Sequence, residues 1–118
     1  MKQQKIVDAY KVIQKHRNES LPLDISYGLF KLKKLLQPQW DFEIEQEQAI
    51  FQKYKPEQLE SGEFKFASNE DRDNFAKEMA DLLNMESDYD EDKIHIDFKD
   101  RLDLPLVDIE ALDDFIEF

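Results

Sequence analysis

Residues 24–55 read DISYGLFKLKKLLQPQWDFEIEQEQAIFQKYK, and this stretch decides the fold. Its apolar side chains recur every three or four residues, which is the spacing of a helix that packs one face on a core. Asp24 is a favoured N-cap residue, and Pro56 follows the last apolar position. The apolar positions before the internal proline are Ile25, Leu29, Leu32 and Leu36, with Phe30 and Leu35 widening the stripe.

Pro38 lies inside this pattern, where a proline removes a backbone donor and costs about 3 kcal/mol. The apolar spacing nevertheless continues in phase beyond it. The later positions of the stripe are Trp40, Ile44, Glu47, Phe51 and Tyr54. The sequence therefore predicts one element over about 25–55, a long helix with a kink near Gln37.

Two further helices are predicted around the long one. The first covers residues 3–18, and we expect it to pack antiparallel against the long helix. Its apolar face consists of Ile6, Tyr10 and Ile13. The second covers residues 70–85, and it is opened by Ser68, which forms an approximate capping box with Asp71.

Two short segments alternate charged and apolar residues, which is the pattern of strands. They are residues 63–67 and 93–98. We expect them to pair with each other as a small two-stranded antiparallel β-hairpin. Because a two-stranded ribbon is not stable alone, this hairpin must lie on the helices.

The last part of the chain predicts an extended connector and a short helix. The connector has Leu102, Leu104 and Leu106 around Pro105. Asp108 is interpreted as the N-cap of the helix. The predicted inward-facing side chains are Ile109, Leu112 and either Phe115 or Ile116. The whole sequence predicts a single domain over residues 1–118, with an α+β, mostly α-helical fold: a helical hairpin with a long kinked helix, plus the β-hairpin.

Composition excludes several classes of protein. The 118 residues include 28 acidic and 16 basic side chains, a net charge of −12, and no cysteine. The lack of cysteine excludes a disulfide scaffold, a zinc ribbon and a thiol nucleophile. Two glycines are too few for a glycine-rich phosphate loop. So large a negative charge argues against direct nucleic-acid binding.

The charge is divided unevenly along the chain. Residues 1–55 carry ten basic and seven acidic side chains, whereas residues 56–118 carry six basic and twenty-one acidic ones. Part of this asymmetry cancels if the two halves pack together. The remainder is either a solvated surface or a patch for a partner with a basic surface.

The candidate chemistry of the chain is sparse. Asp88, Asp90 and Asp92 match the first part of a calcium loop, but lysines stand where that loop needs glycine and glutamate. His16 is placed near the basic end of the first helix, where a positive ring favours the terminal carbonyls. His95 is placed on the surface of a strand, opposite to its neighbouring isoleucines. No catalytic motif is present, and we expect a non-enzymatic protein without cofactor or metal.

Two features are candidate partner contacts. The first is aromatic: Phe42 lies off the stripe of the long helix, and Phe118 could dock on a neighbouring subunit. The second is the loop of residues 86–92, which is the densest acidic segment. Its contact candidates are Asp88, Asp90, Glu91 and Asp92.

Several segments of the chain are similar to one family. They are LDISYGLFKL (23–32), FEIEQE (42–47), SGEFKF (61–66), LLNME (82–86) and IEALDDFI (109–116). Together they resemble a family of small uncharacterised phage and prophage proteins of low-GC bacteria and their viruses. The resemblance implies a phage context and a helical core, and it brings no catalytic residues.

These observations lead to two expectations of function. The first is a phage or prophage accessory protein that acts through protein–protein contacts, in virion assembly or host takeover, with a monomer and a homo-oligomer both left open. The alternative is an acidic inhibitor that imitates DNA and binds a nucleic-acid-binding host protein. A divalent-metal-binding domain is a third option. No apolar run reaches the roughly 20 residues of a membrane span, so we expect a protein of the host cytoplasm or the virion, with no membrane partner.

Overall fold

The computed structural model describes residues 1–99 and 104–118. The elements, in chain order, are α1 (Gln3–His16), α2 (Leu23–Tyr54), β1 (Glu57–Gln58), β2 (Phe64–Lys65), α3 (Asn69–Asn84), β3 (Ile94–His95), α4 (Leu106–Leu112) and β4 (Ile116–Glu117). The predicted α+β fold, mostly α-helical, is confirmed. The part of the connector that contains Leu102 lies outside the described residues.

The core lies where α1 packs on the first half of α2. The two helices run in opposite directions, because Gln3 contacts Gln39 and His16 lies in a pocket with Ser26. The buried side chains come from both helices and from the last third of the chain; they are Ile6, Ala9, Tyr10, Ile13, Ile25, Leu29, Leu32, Leu36, Ile96, Leu112, Phe115 and Ile116. Burying each large aliphatic side chain contributes about 2 kcal/mol.

The long helix is continuous through Pro38, as the uninterrupted stripe indicates. Interactions with α1 hold a side chain before the proline and a backbone carbonyl after it. The hydroxyl of Tyr10 donates to Oε1 of Gln37 at 2.8 Å, and Nε2 of Gln3 donates to the carbonyl of Gln39 at 3.0 Å. These contacts offset the hydrogen bond that a proline removes from a helix interior.

Two predicted N-caps are wrong for the same reason. Asp24 lies inside α2, which begins at Leu23 after Pro22, and Asp108 lies inside α4, which begins after Pro105. A proline has a fixed φ and no backbone N–H, so it fits at the start of a helix without losing a hydrogen bond. By contrast, the predicted N-cap of α3 is confirmed, because the Ser68 hydroxyl accepts from the backbone N–H of Asp71 at 3.1 Å.

The predicted pairing of segments 63–67 and 93–98 is wrong. β2 pairs antiparallel with β1 across a short turn, and β3 pairs in parallel with β4. Gly62 has φ of 87° in that turn, a conformation that favours glycine. A partner strand only a few residues away also requires less loop-closure entropy than one thirty residues away.

An aromatic cluster joins α3 to the second half of α2. Phe75 is at its centre, with its ring centroid 5.1 Å from those of Phe51 and Phe66 and 6.1 Å from that of Tyr54. Phe64 of β2 adds an edge contact to Phe51 at 5.4 Å. The cluster also fixes the small β1–β2 ribbon, which is why this ribbon persists although it has only two strands.

A buried carboxyl lies between α1 and α2. Glu43 is fully buried and Gln3 beside it is too. Within the described part of the chain, neither carboxylate oxygen of Glu43 has a hydrogen-bond partner. Burial, together with the negative charge of Glu47, raises the pKa of Glu43, although the Gln3 amide and the Lys11 charge act in the opposite direction. The sequence pattern placed Glu47, not Glu43, on the core face.

We predict that Glu43→Gln stabilises the protein at neutral pH. Since the folded pKa of Glu43 is above its ordinary value, the wild type loses stability as pH rises above 4.5 and through the folded pKa. The amide removes that loss, so the free energy of unfolding at pH 7 should rise by about 1 kcal/mol. Urea unfolding at several pH values measures this, with the exposed neighbour Glu45→Gln as control. A pH-independent difference, or a less stable variant, would contradict the prediction.

Gly28 is the point where the segment of Ile96 crosses α2. A Cβ atom added at Gly28 would lie 2.8 Å from Cγ1 of Ile96 and 2.9 Å from its Cδ1. Ile96 itself is buried in the core. The close approach therefore requires glycine here, even though glycine in a helix interior costs about 1 kcal/mol relative to alanine.

We predict that the effect of Gly28→Ala on stability reverses its sign when the side chain of Ile96 is shortened. In the wild-type background it should destabilise by about 1–3 kcal/mol, because the added methyl overpacks the contact with Ile96. In an Ile96→Ala background the same change should stabilise by up to about 1 kcal/mol through helix propensity. A double-mutant cycle by urea unfolding measures the coupling, and equal effects in both backgrounds would show that the contact does not constrain position 28.

Candidate functional site

A buried charge cluster fastens the end of α1 to α4. Nε2 of His16 lies 2.9 Å from Oδ2 of Asp108, and its Nδ1 lies 2.7 Å from Oε1 of Glu19. Lys15 contributes a further contact, with Nζ 3.1 Å from the same Asp108 oxygen. Because each ring nitrogen faces a carboxylate, the arrangement favours the protonated ring, in which both nitrogens donate hydrogen bonds.

The electrostatics of the cluster agree with this geometry. Burial opposes the charged ring, but the hydrogen bonds that the ring donates to Asp108 and Glu19 outweigh it and raise the pKa of His16. Burial likewise opposes the charged form of Asp108, but the hydrogen bonds from His16 and Lys15 outweigh it and lower the pKa of Asp108. The sequence predicted that His16 interacts with the terminal carbonyls of α1. Its actual partners are Asp108, which is 92 residues away along the chain, and Glu19, which is three residues away.

The geometry of the cluster is that of a structural bridge. A histidine that acts as a general base needs one free ring nitrogen within reach of a substrate. Both nitrogens of His16 are engaged by carboxylates of its own chain. His16 borders an open pocket of about 190 Å³ that also contains Arg17, Ser26 and Lys33.

An aromatic and basic stripe on the first turns of α2 is the most distinctive exposed feature. Leu23, Tyr27 and Phe30 are spaced as one helix face and are 84%, 54% and 52% exposed. Lys31 lies over the Tyr27 ring with Nζ 4.6 Å from the centroid, and Lys34 lies over Phe30 at 5.6 Å. The predicted inward orientation of Phe30 is wrong, because α1 covers only the face of Ile25 and Leu29 and leaves Phe30 about a quarter-turn outside it. We call Leu23, Tyr27, Phe30, Lys31 and Lys34 the α2 stripe.

The predicted contact residues are distributed over different parts of the surface. Asp88, Asp90, Glu91 and Asp92 are all exposed, as predicted. Phe42 is only half-buried in α2. Phe118 is 47% exposed, and its ring stacks on Phe98 of the same chain at 5.3 Å. The structure thus brings no aromatic candidate together with the acidic loop.

Two further predictions concern the exposure of single side chains, His95 and Ile109. His95 is exposed, as expected for a strand residue opposite to Ile94 and Ile96. Ile109 is 36% exposed, and its predicted inward orientation is wrong. The reason is that α4 turns Asp108 and Leu112 to the core, so Ile109 lies on the outer side.

Neither a metal site nor a membrane span stands out in the structure. Over residues 1–99 and 104–118, no group of three His, Asp or Glu side chains has an arrangement that could hold a metal ion. No described helix has an apolar stretch long enough to cross a bilayer. Comparison with family models, with curated proteins and with solved structures gave no match for the chain.

We predict that the His16 bridge makes stability fall at alkaline pH. Because the folded pKa of His16 is raised above 6.5, the bridge contributes fully below pH 6.5, and its contribution is lost as pH rises through the folded pKa. Because the pKa of Asp108 is lowered, the stability that its carboxylate contributes is lost only at acidic pH, as pH falls through that pKa. His16→Gln should therefore cost about 2 kcal/mol near pH 6 and less at higher pH.

Thermal or urea unfolding across this pH range measures the effect. His95→Gln is the matched control, since it changes the other histidine at an exposed site. A loss that is equal at all pH values, or that also occurs in the control, would show that the imidazolium of His16 does not stabilise the fold.

Proposed function

We propose that this chain is a non-enzymatic interaction protein of a phage or prophage that acts through protein–protein contacts, in virion assembly or in host takeover. The exposed α2 stripe carries the proposal. Three large hydrophobic side chains on one helix face are exposed in the described part of the chain, and aromatic residues beside cations are typical of interface hot spots. The resemblance of segments such as 23–32 and 109–116 to phage proteins supports the setting, which is the host cytoplasm or the virion.

The rigidity of the stripe supports the same function. The rings of Tyr27 and Phe30 have centroids 6.3 Å apart and an interplanar angle of 25°, and each ring is covered by a lysine. The stripe belongs to a helix that is fixed by the core through Ile25 and Leu29. A partner therefore meets side chains that are already ordered, which lowers the entropic cost of binding.

The exposed acidic loop supports a second candidate, an acidic inhibitor that imitates DNA. Among the described residues, Asp88, Asp90, Glu91 and Asp92 have no salt-bridge partner. Four uncompensated carboxylates within five residues resemble the charge density of a phosphate backbone. This candidate would use the loop, whereas the leading proposal uses the α2 stripe.

Site-specific photocrosslinking in the host cell distinguishes the two. A photoreactive residue replaces Tyr27 on the stripe, Asp90 in the acidic loop or Gln52, an exposed control position further along the same helix. We expect protein adducts from position 27 above the level at position 52, and their loss on Phe30→Ala, since truncation of an aromatic hot spot costs about 2 kcal/mol. Adducts from position 90 alone would favour the inhibitor, and none above control at either position would overturn both.

A further inference from the structure

The outer face of α4 complements the α2 stripe in charge and in the kind of apolar side chain it exposes. Leu106 is 71% exposed, and Ile109, one helical turn further along, is also exposed. Glu110 and Asp113 are exposed beside them. This face therefore offers apolar side chains flanked by carboxylates, whereas the α2 stripe offers apolar side chains flanked by Lys31 and Lys34. We call Leu106, Ile109, Glu110 and Asp113 the α4 face.

We propose that the α2 stripe of one copy binds the α4 face of a second copy, so that the chain associates with itself. This inference rests on the proposed function, because it assigns a partner to the same stripe. Its physical basis is that each surface supplies what the other lacks: aromatic rings and ammonium groups on α2, and aliphatic side chains and carboxylates on α4.

The overall charge of the chain makes this association selective. At a net charge of −12, two copies repel each other in most orientations. Lys31 and Lys34 extend from one of the few faces where positive side chains surround apolar ones, and no described ion pair involves either lysine. An approach that brings these lysines to the carboxylates of the second copy is therefore favoured over other orientations.

Both surfaces are exposed in the single copy, so they do not cover each other there. α4 is held on α1 by the bridge from Asp108 to His16 and by the buried Leu112. That arrangement turns Leu106 and Ile109 outward. The contact therefore has to form between copies. If each copy contributes both surfaces, two reciprocal contacts close a twofold dimer, and if only one can form at a time, the copies join head to tail.

Charge-swapped variants test the inference, using the full chain and sedimentation equilibrium over a range of concentrations. Lys31→Glu with Lys34→Glu reverses the stripe, and Glu110→Lys with Asp113→Lys reverses the α4 face. All four side chains are exposed, so the variants should fold, which circular dichroism checks. The matched control is Lys65→Glu with Lys77→Glu, two exposed lysines on β2 and α3.

We expect the wild type to associate, more weakly as salt rises from about 0.05 M to about 0.5 M. Each reversed variant alone should associate at least about tenfold more weakly. An equal mixture of the two should regain association, because the mixed pair contains one native contact and one with both charges swapped. The control should associate as the wild type does.

A wild-type chain that stays monomeric at all concentrations would overturn the inference. So would a mixture that does not regain association, or a control that weakens as much as the stripe variant. These results differ from failure of the proposed function. A monomeric chain whose position 27 still crosslinks to another protein overturns only self-association, whereas a chain without any adduct at position 27 overturns the proposed function itself.

Discussion

The contact between α1 and the first half of α2 is the interaction on which the rest of the structure depends. It forms an apolar surface that receives later parts of the chain, so Ile96, Phe115 and Ile116 become buried by packing onto it. The second half of α2 takes α3 through a separate aromatic cluster around Phe75. At 32 residues, α2 is about 48 Å long, close to the 52 Å of the whole molecule, and it therefore sets the overall length.

Charge is distributed so that ion pairs form between the two halves of the sequence. Basic side chains of the first half meet acidic ones of the second, as in the pairs Lys5–Asp114, Lys15–Asp108 and Lys53–Glu78. The first and third of these are exposed and contribute little each, whereas the buried carboxylate of Asp108 needs its partners. Part of the charge asymmetry thus cancels internally, and the acidic loop carries one exposed part of the remaining negative charge.

The sequence predicted which segments form helices and strands better than it predicted which segments pair or pack with each other. The apolar period was enough for α1, α2 and α3, since each helix buries a stripe at regular spacing. It could not show the partner of β3, because strand pairing depends on contacts between distant segments. The site was harder still. Phe30 is as apolar as Leu29, and only the width of the face that α1 covers decides that Leu29 is buried and Phe30 is not. Asp108 is read as a helix cap unless His16 is known to lie opposite.

The parallel pairing of β3 with β4 joins segments that are distant in sequence. Ile94 and Ile116 are separated by 22 positions, and Lys2 bridges to Glu86 over a longer span still. The contacts between α1 and α2 also close long loops, of 36 positions for Gln3 with Gln39 and 27 for Tyr10 with Gln37. Each closure costs entropy that only the shared apolar core repays, so we expect the helix contacts and the β3–β4 pairing to form together in one cooperative step.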